Sequence, residues 1–222
     1  MVHFWNSCKK TFRRFLISQP KILNCLYSLK QLDFGTCIET STPAIVLFGN
    51  SLVRLVNWSK ILERDDVINR GISGDSLFDM YERLKYLKAV SVKIAFIEGG
   101  INDLPTTELE LVFFQYKRII SFWQEKGTIP VVHAVLLIAP NAGKYYAWRV
   151  DWLLINQQVK TINKKLREFC LIQKIDFIDL NITLSNSDHI LAEFTTDGVH
   201  LTPSAYKIWS KAITQVLKQH GL

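Results

Sequence analysis

Gly49-Asn50-Ser51-Leu52, the run from Asn69 to Ser76, Gly99-Gly100-Ile101-Asn102-Asp103 and Asp197-Gly198-Val199-His200 are four places where this sequence gathers hydroxyl, amide, carboxylate and imidazole groups among glycines. A serine hydroxyl is a poor nucleophile until a base takes its proton, and the base needs a third group to fix its tautomer and stabilise its cation. Asp197 and His200 are three apart, so a single turn of chain lets the carboxylate reach the imidazole while the ring points at Ser51. A negative charge growing on a substrate oxygen needs donors already in place. The backbone N–H groups of Ser51 and Gly74 and the side-chain amide of Asn102 could supply three, each typically worth about 3–4 kcal/mol in a transition state.

Such groups come from distant parts of the chain, so a scaffold must bring them together. From residue 44 onward, short β-rich runs alternate with helical stretches, the pattern of β-α units feeding a parallel sheet. Strands are predicted at Ala44–Phe48, Val67–Asn69, Val92–Glu98, Ile129–Leu137 and Ile175–Asp179, and helices at about 52–64, 76–89, 107–126, 151–173 and 203–219. Several of the strands are nearly continuous apolar runs, as strands covered on both faces are. Five strands with helices between them predict an α/β fold, a doubly wound three-layer sandwich. Its ligand site lies beyond the carboxyl ends of the strands, where the blocks fall.

Together the four blocks resemble the SGNH, or GDSL-type, hydrolase family, whose named residues are a Ser, a Gly, an Asn and a His in that chain order. The resemblance runs from about residue 44 to 210. It implies an α/β/α sandwich with a flavodoxin-like sheet, Ser51 as nucleophile, Gly74 and Asn102 as oxyanion-hole donors with Ser51, and Asp197 and His200 as the rest of a triad. The implied activity is hydrolysis of carboxylic esters through an acyl-enzyme, without cofactor or metal, on a small-molecule, lipid or sugar ester. Short- or medium-chain acyl and acetyl esters rank first.

The literal string Gly-Asp-Ser-Leu occurs at Gly74–Leu77, whereas Asn50 stands where the family has Asp, so Ser76 is a rival nucleophile. Ser51 is preferred because it follows the first hydrophobic strand directly, and Ser76 reads as a residue at the start of a helix. His133, inside an apolar run, reads as a hydrogen-bonded core histidine. Asp103 either orients Asn102 or caps the following helix. A metal reading of Asp197 and His200 lacks further ligands to complete a coordination set. Tyr145, Tyr146, Trp148, Arg149 and Trp152 follow the fourth strand and overhang the same edge, where Tyr145, Tyr146 and Trp148 are expected to bind substrate. In the competing reading, Trp148 and Trp152 begin a helix and face the core.

Apolar residues make up 48% of the chain and charged ones 21%, which excludes a broadly disordered protein. The net charge of +7 is uneven: residues 1–32 carry six cations and no acid, leaving 21 bases against 20 acids in the rest. The body is therefore not a nucleic-acid binder. Two short amphipathic helices are expected in a basic N-terminal extension, residues 1–40, ahead of a hydrolase domain at 41–222. Residues 1–32 either contact an anionic membrane surface peripherally, pack on the body or form a transit sequence. The membrane contact motivates an alternative function, a membrane-surface or partner-binding protein with incidental hydrolase activity. Cys8, Cys25, Cys37 and Cys170 form no C-x-x-C pair, so a reducing compartment, the cytoplasm, is expected. The longest charge-free run, Gly127 to Gly143, is 17 residues and falls short of the ~20 that span a bilayer.

Overall fold

A computed structural model describes residues 44–222, and the expected N-terminal extension with Cys8, Cys25 and Cys37 lies outside the described residues. Five parallel strands, β1 (Ile45–Gly49), β2 (Val67–Gly71), β3 (Ile94–Ile97), β4 (Ile129–His133) and β5 (Asp176–Ile178), form one sheet in the order 2-1-3-4-5. The helices are α1 (Ser51–Arg54), α2 (Trp58–Leu62), α3 (Leu77–Glu82), α4 (Leu109–Glu125), α5 (Ala142–Tyr145), α6 (Trp152–Gln173), α7 (Asn181–Leu184) and α8 (Pro203–Gln219).

All five residues of β1 are buried because both faces of the sheet are covered. Strand side chains alternate in direction, so Val46 and Phe48 join a core with Met80, Tyr116 and Trp123. Ile45 and Leu47 join the opposite core, with Trp58, Trp209 and Ile213. Helices α3, α4 and α6 thus cover one face, and α2 and α8 the other, giving three layers. In the second core Trp58 and Trp209 meet edge to face with centroids 5.0 Å apart, a geometry worth about 0.5–1.5 kcal/mol beyond the area it buries.

Two predicted helices are shorter than expected. The 52–64 stretch is α1 and α2, divided where the Asn57 side chain accepts from the Lys60 N–H and starts a new helix. The 76–89 stretch becomes a 3-10 turn at Arg83–Leu87, where Arg83 turns inward to donate to Asp75 Oδ2 (2.7 Å) and to the Gly49 carbonyl (2.8 Å). The fourth strand stops at His133 rather than Leu137, because β5 is only three residues long and pairs no further than that. Beyond it, asparagine side chains replace the missing strand. Asn163, Asn181 and Asn156 accept from the N–H groups of Val135, Leu137 and Ile138, and their amides donate back to Val135 or Ile138 carbonyls. Buried backbone must find partners, and this segment finds them on α6 and α7. Among the described residues no helix is long and apolar enough to cross a membrane.

Candidate active site

In the order 2-1-3-4-5 the direction in which strands are added reverses between β1 and β3, and the first and third sequence blocks leave the sheet at those two strands. Asn50 ends β1 and caps α1, its Oδ1 accepting from the Leu52 N–H at 2.8 Å. Ser51 follows as the first residue of that helix. With four residues, α1 carries only a small dipole, so the favourable field for an anion at Ser51 is that of its first N–H groups.

His200 Nε2 lies 2.9 Å from Ser51 Oγ, across 149 residues of sequence, and His200 Nδ1 lies 2.7 Å from Asp197 Oδ2. The other carboxylate oxygen, Asp197 Oδ1, accepts from the N–H groups of Val199 (2.9 Å) and His200 (2.7 Å). Gly198 makes this turn possible. Its φ of +89° suits glycine, and a Cβ there would lie 2.7 Å from the Ala142 backbone. Burial alone would raise the Asp197 carboxyl. Hydrogen bonds from Tyr146, His200 and the local backbone outweigh it and hold the group at about 2, so it is a carboxylate at neutral pH.

Gly74, Asn102, Ser51 and His200 line one cavity of about 310 Å³, together with Leu55, Ser73, Tyr146, Trp148, Arg149 and Val199. Gly74 turns there with φ +80°. Asn102 donates from Nδ2 to the Asp75 carbonyl (2.9 Å) and accepts at Oδ1 from Arg149 Nη2 (3.0 Å). A larger groove of about 790 Å³, along Lys160, Lys164, Arg167 and Asn181, holds none of the four sequence blocks.

Several expected residues stand elsewhere or act differently. Tyr145 is 53% exposed and absent from the cavity wall, because its neighbour in the short α5 turn, Tyr146, takes the inward position. Tyr146 is less an apolar wall than a hydrogen-bond donor, with Oη 2.6 Å from Asp197 Oδ2 and 3.1 Å from His200 Nδ1. Burial and the adjacent carboxylate push the phenol up to about 12, so it keeps its proton for that bond. Trp148 lines the cavity beside Tyr146 and is 45% exposed, whereas Trp152 opens α6 and packs against the core.

Ser76 caps α3 and shares a capping box with Asp79, which explains the second Gly-Asp-Ser-Leu string as a helix start. Asp75 of that string is buried against Arg83. Asp103 accepts from the Leu77 N–H (3.0 Å), so it supports the start of α3 and not that of the helix after it. His133 is buried as expected, but neither ring nitrogen has a hydrogen-bond partner among the described residues. It packs instead between Phe96 and Trp209, and burial drives its imidazole down to about 3.

Glu98 escaped the sequence reading. It is fully buried under the Asn50 turn, with Asn50 Nδ2 donating to Oε1 at 3.4 Å and Oε2 unpaired among the described residues. Burial raises the carboxyl to about 8. Asn50 now has a reason: an aspartate could accept from Leu52 but could not donate to Glu98, and would set two carboxyls side by side. Among the described residues no three His, Cys, Asp or Glu side chains converge as a metal site would require.

Residues 48–208 match the model of the GDSL-like lipase/acylhydrolase family. The chain belongs to that family. Solved structures of similar fold include a GDSL-like lipase from Bacteroides thetaiotaomicron, 20% identical with a TM-score of 0.70 over 80% of this chain and 89% of that one. Another is the lipase/acylhydrolase from Enterococcus faecalis, 21% identical with a TM-score of 0.63 over 81% and 97%. A third is the inhibitor-bound aryl esterase of M. smegmatis, 14% identical with a TM-score of 0.65 over 80% and 99%. Among curated proteins, the N-acylneuraminate cytidylyltransferases of Streptococcus agalactiae are 28% identical over 143 residues, 62% of this chain. The chain spans 31% of the length of those relatives. That family match accords with the α/β fold read from the sequence, which the similar structures share.

Proposed function

We propose that the protein hydrolyses carboxylic esters through an acyl-enzyme on Ser51. The observation that carries this reading is the unbroken chain from Ser51 Oγ through His200 to Asp197, at 2.9 and 2.7 Å. Ser51 Oγ attacks the ester carbonyl carbon as its proton passes to His200 Nε2, and the Asp197 carboxylate stabilises the imidazolium. The carbonyl oxygen becomes an oxyanion among the backbone N–H groups of Ser51 and Gly74 and the Asn102 amide. As the intermediate collapses, the C–O bond to the alcohol breaks and His200 returns the proton to the leaving oxygen. A water, deprotonated by His200, then attacks the acyl-enzyme, releasing the acid and restoring the Ser51 hydroxyl.

A cavity of about 310 Å³ is at the small end of ligand sites, which favours acetyl and other short acyl groups over long chains. Leu55 and Trp148 give it an apolar wall. The cytidylyltransferase relatives are named for an acylated sugar acid, which brings acylated sugars into the substrate range to be tested.

The test is a panel of nitrophenyl esters of graded chain length, acetylated sugars and acyl thioesters, with fluorophosphonate labelling in parallel. Short esters turn over fastest, Ser51→Ala loses turnover and labelling, and Ser76→Ala keeps most of both. Labelling that survives in Ser51→Ala and vanishes in Ser76→Ala reverses the assignment.

A further inference from the structure

We infer that Arg149 is a positioning residue for the oxyanion amide: by holding Asn102 Oδ1 it sets which way the amide faces and polarises the N–H that meets the substrate oxygen. This rests on the ester-hydrolase reading above and adds to it a residue outside the four sequence blocks.

An asparagine amide can sit in two orientations related by a flip, and only its neighbours decide between them. Asn102 has one neighbour of each kind. The Asp75 carbonyl accepts from Nδ2 at 2.9 Å, and Arg149 Nη2 donates to Oδ1 at 3.0 Å. Flipping the amide would turn Oδ1 toward a carbonyl oxygen and Nδ2 toward a guanidinium, replacing two hydrogen bonds with two repulsive contacts. The orientation is therefore specified from both sides. Nδ2 carries two hydrogens and spends one on Asp75, leaving the second for the cavity that Asn102 lines with Ser51 and Gly74.

Arg149 is itself fixed. It is 2% exposed, ends the 3-10 turn Ala147–Arg149, and donates from Nη1 to the Ile101 carbonyl at 3.1 Å. Among the described residues no carboxylate forms an ion pair with it, so its charge is not cancelled by direct contact. Burial lowers the guanidinium to about 10, which still leaves it protonated at neutral pH. A cation on the amide oxygen draws electron density from the amide nitrogen. That strengthens the remaining N–H as a donor in a site of low dielectric, and the gain grows as the oxyanion forms.

The test is a double-mutant cycle with Arg149→Met and Asn102→Ala, read by kcat and KM on a nitrophenyl acetate and by the rate of fluorophosphonate labelling of Ser51. Asn102→Ala is expected to lower kcat by roughly 10²-fold or more, and Arg149→Met by roughly 10-fold, both with little change in KM. In the Asn102→Ala background, Arg149→Met then costs less than about twofold, because the group it acts through is gone. Arg149→Gln, which keeps a donor but loses the charge, runs through the same cycle should the Met variant fail to fold. The same fold-loss in both backgrounds overturns the inference, as does a loss confined to KM. A wild-type protein that neither turns over esters nor labels overturns the hydrolase reading, which a failed cycle on an active enzyme leaves standing.

Discussion

Replacing Glu98 by Gln should make the protein more stable at neutral pH, because it removes a charge that burial disfavours. In the folded chain the carboxyl is buried and raised to about 8, against an ordinary value near 4.5. Below pH 4.5 the group is protonated whether the chain is folded or not. Between 4.5 and about 8 the unfolded chain releases the proton and the folded chain retains it, so the stability this group contributes is lost as pH rises. At 1.36 kcal/mol per unit the loss reaches about 3 kcal/mol at pH 7 and about 4 kcal/mol at pH 8. Gln keeps an acceptor for Asn50 Nδ2 and has no proton to lose, so its slope from this source is zero. Urea unfolding of both proteins at half-unit steps from pH 4.5 to 8.5 reads the difference directly. The curves should meet near pH 4.5 and separate steadily above it. Parallel curves would mean that Glu98 ionises in the fold as easily as in water, and would refute both the burial argument and the account of Asn50.

His133 should act in the opposite sense. Its buried imidazole is held neutral down to about 3, so wild-type stability falls as pH drops below 6.5, by about 2–3 kcal/mol at pH 4.5, and His133→Phe should flatten that limb in acid unfolding curves. An unchanged acid slope would show that the ring protonates where it sits. Tyr146→Phe removes one of the hydrogen bonds that hold the Asp197 carboxylate low. It should cost about 1–2 kcal/mol of unfolding free energy at pH 7, and the deficit should shrink as pH falls from about 4 toward 2, where the folded carboxyl takes its proton, in the variant before the wild type. A deficit that is the same at pH 7 and pH 2 would mean the phenol does not bond a charged partner.

The parts of the site legible in the sequence were those that a single loop carries whole. Ser51 follows a strand of five buried residues, and Asp197 with His200 needs only one turn with a glycine inside it. What stayed hidden depends on partners far along the chain. Tyr146 reads as an aromatic wall because its hydroxyl partner is 51 residues away, and Arg149 meets Asn102 across 47. The strand end at His133 was obscured because Ala134–Ala139 is as apolar as the strand before it. Its backbone is satisfied by asparagines on α6 and α7, which a propensity reading counts as surface. Helix 52–64 has an unbroken apolar rhythm, and Asn57 splits it by capping, a local hydrogen bond that periodicity does not register.

The span between Ser51 and His200 has a consequence during synthesis. A ribosome makes the serine early and the histidine about 150 residues later, and the loop that carries His200 is followed directly by α8. That helix docks through Tyr206, whose hydroxyl reaches back to the Leu52 carbonyl beside the serine. Until α8 has left the exit tunnel and packed on Trp58, the His200 imidazole is not held beside Ser51. On the proposed reading, reactivity toward esters therefore waits until the turn after β1 and the His200 loop have met, and a nascent chain stalled before that point is chemically quiet.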